Sequence, residues 1–182
     1  MEQEYTIRIF TENEAGLLNL ITLIFTRKKV NIESLAASES HLEGIHCYTM
    51  VTRTTPKVIR LLINQIKKLI GVVNAFYYNQ KDIVYQEIAL YKVPNKAINE
   101  GMLVENVLRE NNAKIISVES DYMVIEKRGH KEETQELLEK LRPFGIIEFT
   151  RSGRVAVTRE HSMKYSLPKD YSLNNGKVSW QK

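Results

Sequence analysis

Hydrophobic and polar positions in the first half of the chain switch repeatedly between a period of two and a period near 3.6. Apolar residues at i, i+3, i+4, i+7 and i+8 predict a first amphipathic helix that contains Leu17, Leu20, Ile21, Ile24 and Phe25. Thr55 followed by Pro56 predicts the N-cap and first turn of a second helix, and Gly71 suits its end. The whole pattern predicts strand, helix, strand, strand, helix and strand at residues 5–10, 17–25, 31–38, 45–52, 58–70 and 72–78.

The second half repeats this order with few identical residues. Its predicted helices and strands are residues 87–93, 102–109, 114–118, 122–126, 131–142, 145–149 and 155–158. In a ferredoxin-like βαββαβ unit, four strands form one antiparallel sheet with both helices on a single face. We therefore predict an α+β fold of two tandem ferredoxin-like βαββαβ domains, residues 1–79 and 83–159. Residues 160–182 lack periodicity and are polar, which predicts a mobile C-terminal tail.

Composition and charge narrow the class of protein. The chain has 182 residues, 43% of them hydrophobic, and a net charge of +4, which is too weak at this length to indicate a nucleic-acid partner. The chain shows neither the pattern of a secretory signal nor a run of roughly 20 apolar residues, so we expect a cytoplasmic protein. The single cysteine, Cys47, lies in an apolar run, which predicts a buried strand residue and excludes a disulfide within one chain.

Motifs of catalysis are missing from the sequence. The eight glycines form neither a dinucleotide-binding nor a P-loop motif. No two of the four histidines are spaced i, i+4, and each is expected to be a surface or strand residue rather than a ligand: His41, His46, His130 and His161. We therefore predict no catalytic residue and no metal site, and a chain that binds rather than catalyses.

The segment between the first strand and the first helix carries the most specific chemistry. The first N–H groups of a helix lack internal partners and favour a carboxylate, and Gly16 lets a ligand approach closely because it has no Cβ. Asn13 and Asn31 each offer a donor and an acceptor, as an amino-acid ligand requires. The residues alone favour a plain alternative, in which Asn13 is only the helix cap and Gly16 only a turn glycine.

Several segments resemble one protein family. Residues 13–18 (Asn-Glu-Ala-Gly-Leu-Leu), 23–27 and 31–35 (Asn-Ile-Glu-Ser-Leu) resemble the ACT domain of acetohydroxyacid (acetolactate) synthase small subunits. The second half resembles the same family at residues 87–93, 142–148 and 150–156. Three positions depart from the family pattern: Ala15 stands where proline or serine is common, Lys29 where glycine is common, and Cys47 where many members have arginine.

The resemblance implies an N-terminal ACT domain, a C-terminal ACT-like domain and a regulatory role without catalysis. Such a subunit binds and activates a separate large catalytic subunit and mediates feedback inhibition by valine or another branched-chain amino acid. Thiamine diphosphate, Mg and FAD are expected on that catalytic partner, and no cofactor on this chain. The effector is expected between the ACT domains of a homodimer, where it contacts Asn13, Glu14, Ala15, Gly16, Leu17 and Leu18 of one chain and Asn31 and Ile32 of the other.

Three other functions fit the sequence less well. A βαββαβ sheet with basic charge also describes an RNA-recognition motif, but the aromatic fingerprint of that motif is missing. A transcription regulator would need a helix-turn-helix, and none precedes the first domain. An independent enzyme is disfavoured by the lack of a catalytic motif. Because the RNA-recognition fingerprint, a helix-turn-helix and an apolar run long enough to span a membrane are all missing, neither nucleic acid nor membrane is an expected partner.

Overall fold

The computed structural model describes residues 1–95, 101–159, 171–174 and 177–180. The chain divides into two compact units, one of Met1–Val84 with the segment from Arg154 onward, and one of Tyr85–Gly153. The predicted domain boundary falls at residues 79–83, and the prediction places residues 154–159 with the second domain. Contacts group that segment with the first unit instead. Among the described residues, each helix is too short or too polar to span a lipid bilayer.

The first unit contains the predicted βαββαβ order. Its elements are β1 (Gln3–Glu12), α1 (Leu17–Arg27), β2 (Ser34–Glu39), β3 (Ile45–Thr54), α2 (Pro56–Ile66) and β4 (Val72–Tyr78). The strands form one antiparallel sheet in the order β2-β3-β1-β4. Thr55 caps α2 as predicted, because its side chain accepts a hydrogen bond from Val58 N at 3.4 Å. Cys47 lies buried in β3, also as predicted.

The core of this unit lies between the sheet and its two helices. Alternate residues of β1 point towards the helices, so Tyr5, Ile7 and Ile9 are buried against apolar side chains of α1 and α2. The helix stripes face the same core, with Ile21 and Phe25 of α1 fully buried. Both helices therefore cover one face of the sheet, as the sequence predicts.

The second unit repeats the same topology. The elements of the second half are β5 (Ile83–Pro94), α3 (Gly101–Glu110), β6 (Lys114–Val118), β7 (Tyr122–Gly129), α4 (Lys131–Leu141), β8 (Glu148–Arg151) and β9 (Val155–Thr158). The antiparallel order β6-β7-β5-β8 is the counterpart of β2-β3-β1-β4, and β9 also pairs with β5. Tyr91 is fully buried in this core and its hydroxyl donates to Thr134 O at 2.6 Å, while burial raises the pKa of Tyr91 to about 12.

Most of the predicted tail lies outside the described residues. Within it, β10 (Tyr171–Asn174) and β11 (Lys177–Trp180) pair as an antiparallel two-stranded ribbon. The sequence predicted no regular structure here. Four-residue strands are too short for the alternation of apolar and polar residues to stand out from a polar background.

The first helix of each unit ends in the same left-handed turn. Lys29 has φ 54°, with Val30 N–H donating to Phe25 O and Lys29 N–H donating to Thr26 O, both at 3.0 Å. Asn112 has φ 50° at the equivalent position after α3. These are the two hydrogen bonds of a Schellman motif, whose left-handed residue is usually glycine.

Replacing Lys29 with glycine is therefore expected to stabilise the chain. A residue with a Cβ is strained in the left-handed region, so Lys29→Gly should raise the free energy of unfolding by about 1 kcal/mol. The neighbouring Lys28 has ordinary helical geometry, with φ −89°. Lys28→Gly should therefore lower the same quantity by about 0.5–1 kcal/mol. Urea unfolding of both variants measures the difference, and equal effects of the two substitutions would contradict the strain at Lys29.

A buried arginine holds the start of β1. Arg154 is only 3% exposed, and its guanidinium donates to Thr6 Oγ1 at 2.7 Å and to Glu4 Oε1 at 2.9 Å. Burial alone raises the pKa of the Glu4 carboxyl. Hydrogen bonds from Gln80 and Arg154, with the positive charges of Arg154 and Arg53, outweigh that effect and hold the pKa below its ordinary value of 4.5.

This ion pair predicts a loss of stability in acid. Because the pKa of Glu4 is lower in the folded chain, the stabilisation is present above pH 4.5 and is lost as the pH falls through the folded pKa. At neutral pH, Glu4→Gln should lower the free energy of unfolding by about 1.5–3 kcal/mol, and the difference from the unsubstituted chain should shrink as the pH falls below 4.5. Denaturant unfolding at several pH values measures it, and a difference that is constant with pH would contradict the assignment to Glu4.

Candidate effector-binding site

The loop between β1 and α1 is fixed at its base by two turns of the sheet. Glu12 N–H donates to Gly71 O at 2.8 Å, and Asn13 N–H donates to Gly44 O at 3.1 Å. Gly44 and Gly71 both have positive φ, 75° and 81°. A Cβ on Gly71 would lie 2.7 Å from Leu17 Cδ1, so a larger residue would have to displace that side chain as well as strain the backbone. Sequence reasoning assigned Gly71 to the end of a helix and missed its part in holding the loop.

The N-terminus of α1 presents backbone donors that the chain itself does not use. Gly16 is the N-cap, with φ 90°, and has no side chain to accept a hydrogen bond. Leu20 N–H donates to Gly16 O, and this hydrogen bond closes the first turn of the helix. Within the described residues, no acceptor meets the N–H groups of Leu18 and Asn19. Two free donors at the positive end of the helix dipole favour a carboxylate.

The space around these donors is open. A Cβ added at Gly16 would meet no atom within 4 Å. The Asn13 side chain is exposed and makes no hydrogen bond to any described residue, and it precedes the N-cap by three positions. The alternative that Asn13 is merely the helix cap is therefore wrong, because Gly16 takes that position.

The other members of the predicted site differ in what they can offer a ligand. Leu17 is buried in the core, so only its backbone lies at the helix N-terminus, whereas Glu14 and Ala15 are exposed on the loop. Leu18 is half-buried against the same core. Backbone contacts thus dominate what this loop can provide.

Asn31 and Ile32 lie just before the edge strand β2. Thr52 Oγ1 donates to Asn31 O at 2.6 Å, which fixes the backbone, and the exposed Asn31 amide donates to Glu33 Oε1 at 3.1 Å. Ile32 is half-buried and packs against the core. One donor and the acceptor oxygen of the Asn31 amide remain for a ligand.

One chain does not bring the two halves of the predicted site together. The loop precedes α1 and Asn31 follows it, and a helix of 11 residues is about 16 Å long. A ligand the size of an amino acid cannot span that distance. In the described residues, no group of histidine, cysteine, aspartate or glutamate could hold a metal ion.

Family models match both halves of the chain. Residues 7–74 match the family described as the AHAS small subunit-like ACT domain, and residues 86–160 match the small subunit of acetolactate synthase. Motifs in both of these regions resemble the same family in the sequence analysis, and the matches confirm that resemblance.

Known relatives and one solved structure indicate the same family as the two family models. The acetolactate synthase small subunits of Mycolicibacterium smegmatis and Aquifex aeolicus are each 31% identical, over 85% and 89% of this chain and 91% and 84% of their own length. The acetolactate synthase small subunit of Thermotoga maritima shares the fold, with a TM-score of 0.79 at 23% identity over 88% of this chain and 99% of that one. This chain therefore belongs to the acetolactate synthase small-subunit family, with an ACT domain in its N-terminal half.

Proposed function

We propose that this chain is the regulatory subunit of an acetolactate synthase. It binds and activates a larger, thiamine-diphosphate-dependent catalytic subunit in the cytoplasm, and mediates feedback inhibition by valine in branched-chain amino-acid biosynthesis. The observation that carries the proposal is the unsatisfied N-terminus of α1 in a chain of this family. Residues 1–79 sense the amino acid, the compact unit Tyr85–Gly153 forms the body of a second domain, and any thiamine diphosphate, Mg and FAD belong to the catalytic partner.

The geometry of the loop supports an amino acid as effector. The free N–H groups of Leu18 and Asn19 suit the carboxylate of valine. Asn13 lies on the same loop, and both the NH₂ and the C=O of its side-chain amide are unused. The Glu14 carboxylate on this loop offers a counter-charge for the ammonium group. The loop offers mainly backbone and polar contacts, so residues outside the loop must cover the aliphatic side chain of valine.

A second copy of the chain completes this site. The edge strand β2 pairs with β3 over six consecutive residues without a bulge, so its outer edge is regular and can accept another strand. The register of the corresponding edge strand β6 shifts between Ile115 and Ser117, and such a bulge disfavours edge pairing. Leu20 and Leu23 of α1 and Leu35 of β2 are exposed apolar residues of the first unit. These features favour a homodimer through the ACT domain, with Asn31 and Ile32 supplied by the partner.

Reconstitution with a catalytic subunit tests this function. Acetolactate formation from pyruvate should be absent with this chain alone, low with the catalytic subunit alone, higher with both, and reduced again by valine only when both are present. The Gly16→Asp variant should still activate but should not respond to valine. Acetolactate formation by this chain alone, or no effect of the chain on its catalytic partner, would refute the proposal.

A further inference from the structure

The region around α2 is strongly basic for a chain of net charge +4. Between Glu43 and Asp82 the sequence has no acidic residue, and it has six lysines or arginines there: Arg53, Lys57, Arg60, Lys67, Lys68 and Lys81. A surface with cations and no carboxylates concentrates small anions. Four of these cations lie on α2 or directly after it: Lys57, Arg60, Lys67 and Lys68.

Two of these cations line one groove. Arg60, Asn64 and Lys67 are spaced i, i+4 and i+7, so they share one face of the helix, and all three line a groove of about 530 Å³ against β4. From β4, Phe76 and Tyr77 are also among the lining residues. The volume lies within the range of about 300–1,000 Å³ that is common for small-molecule sites. We call it the α2–β4 groove.

The charges of the groove are available to a ligand. In the described part of the chain, neither Arg60 nor Lys67 forms an ion pair, although Lys67 Nζ lies 5.3 Å from the centre of the Phe76 ring. Asp82 is the one carboxylate among the lining residues, and its Oδ2 accepts hydrogen bonds from N and Nδ2 of Asn79, each at 3.2 Å. That carboxylate is thus occupied by the turn at the end of β4, while both cations and the Asn64 amide remain open.

We propose that the α2–β4 groove binds a small anion with at least two negative charges, such as a phosphorylated or polycarboxylate metabolite. Arg60 and Lys67 hold the two charged ends, Asn64 donates between them, and an organic portion packs on Phe76 and Tyr77. The site is separate from the N-terminus of α1, so the chain has a second place at which a metabolite acts on the ACT domain.

Calorimetry on the full chain tests the groove with two probes, inorganic pyrophosphate and citrate, which distinguish phosphate from carboxylate ligands. At least one probe should bind, and the double variant Arg60→Gln with Lys67→Gln should weaken its affinity by about ten- to a hundredfold. The matched double variant Lys57→Gln with Lys68→Gln removes the same charge outside the groove and should leave the affinity nearly unchanged. All four side chains are exposed, so both double variants should keep the melting temperature of the unliganded chain.

The other outcomes each overturn the proposal. Neither probe binding at about 10 mM would leave the groove without an anion site. Equal losses in the two double variants would show diffuse charge attraction. Loss of probe binding in Gly16→Asp would place the anion at the N-terminus of α1. Binding of a glutamate-rich peptide through Arg60 and Lys67, with neither probe bound, would assign the groove to a partner protein.

Discussion

Gly16→Asp is expected to abolish valine binding. The substitution puts a negative charge beside the free N–H groups of Leu18 and Asn19, where the carboxylate of the ligand is proposed to bind. Because nothing lies within 4 Å of a Cβ at Gly16, the new side chain fits the fold and occupies the ligand's space instead. Aspartate is one of the few residues that tolerates the left-handed backbone at this position, so the chain should remain folded. Calorimetry with valine at millimolar concentration measures the loss.

A matched substitution separates this effect from backbone strain. Gly145 in the second unit also has a positive φ, 85°, with ψ 118°, and a Cβ there makes only an ordinary contact with Pro94 at 3.6 Å. Gly145→Asp therefore introduces the same residue away from the site, at a backbone at least as strained as that of Gly16, and valine affinity should not change. Asn13→Ala removes an exposed side chain and should weaken affinity by about ten- to a hundredfold. Unchanged valine affinity in Gly16→Asp would contradict the proposed site.

Elements with strong periodicity could be predicted from the sequence. The apolar stripe of α1 and the alternation in β1 each point to one side of the core, and both are buried as the spacing requires. The cap at Thr55 could also be predicted, because it depends only on neighbouring residues. Local signals therefore suffice where the physical cause is itself local.

Features that depend on distant residues could not be predicted. Nothing in the sequence near Arg154 indicates that it is buried beside Glu4 and Thr6, which lie about 150 positions earlier. The hold of Gly44 and Gly71 on the loop likewise depends on which turns the sheet brings together. The left-handed turn after α1 has Lys29 at the position where the motif favours glycine, so no glycine in the sequence marks the turn.

The free edge of β2 provides the sharpest test of the dimer. Ser40 N–H donates to Ile45 O at 2.8 Å, and the register of β2 with β3 continues unbroken from there. Alternate residues of an antiparallel strand point their N–H groups to opposite sides, so Ala36 faces β3 and Ala37 faces the open edge. A proline at Ala37 removes only an outward donor and leaves the ladder with β3 intact.

Ala37→Pro is therefore expected to convert the dimer into a folded monomer that no longer binds valine. If the effector site needs Asn31 of a second chain, ligand binding and assembly are coupled, and the loss of one removes the other. Light scattering should report a dimer for the unsubstituted chain and a monomer for Ala37→Pro, with the same circular dichroism spectrum. Valine should raise the melting temperature of the unsubstituted chain and of Ala37→Val, which keeps the donor, but not that of Ala37→Pro. A monomeric Ala37→Pro variant that binds valine with undiminished affinity would show that each chain holds a complete site.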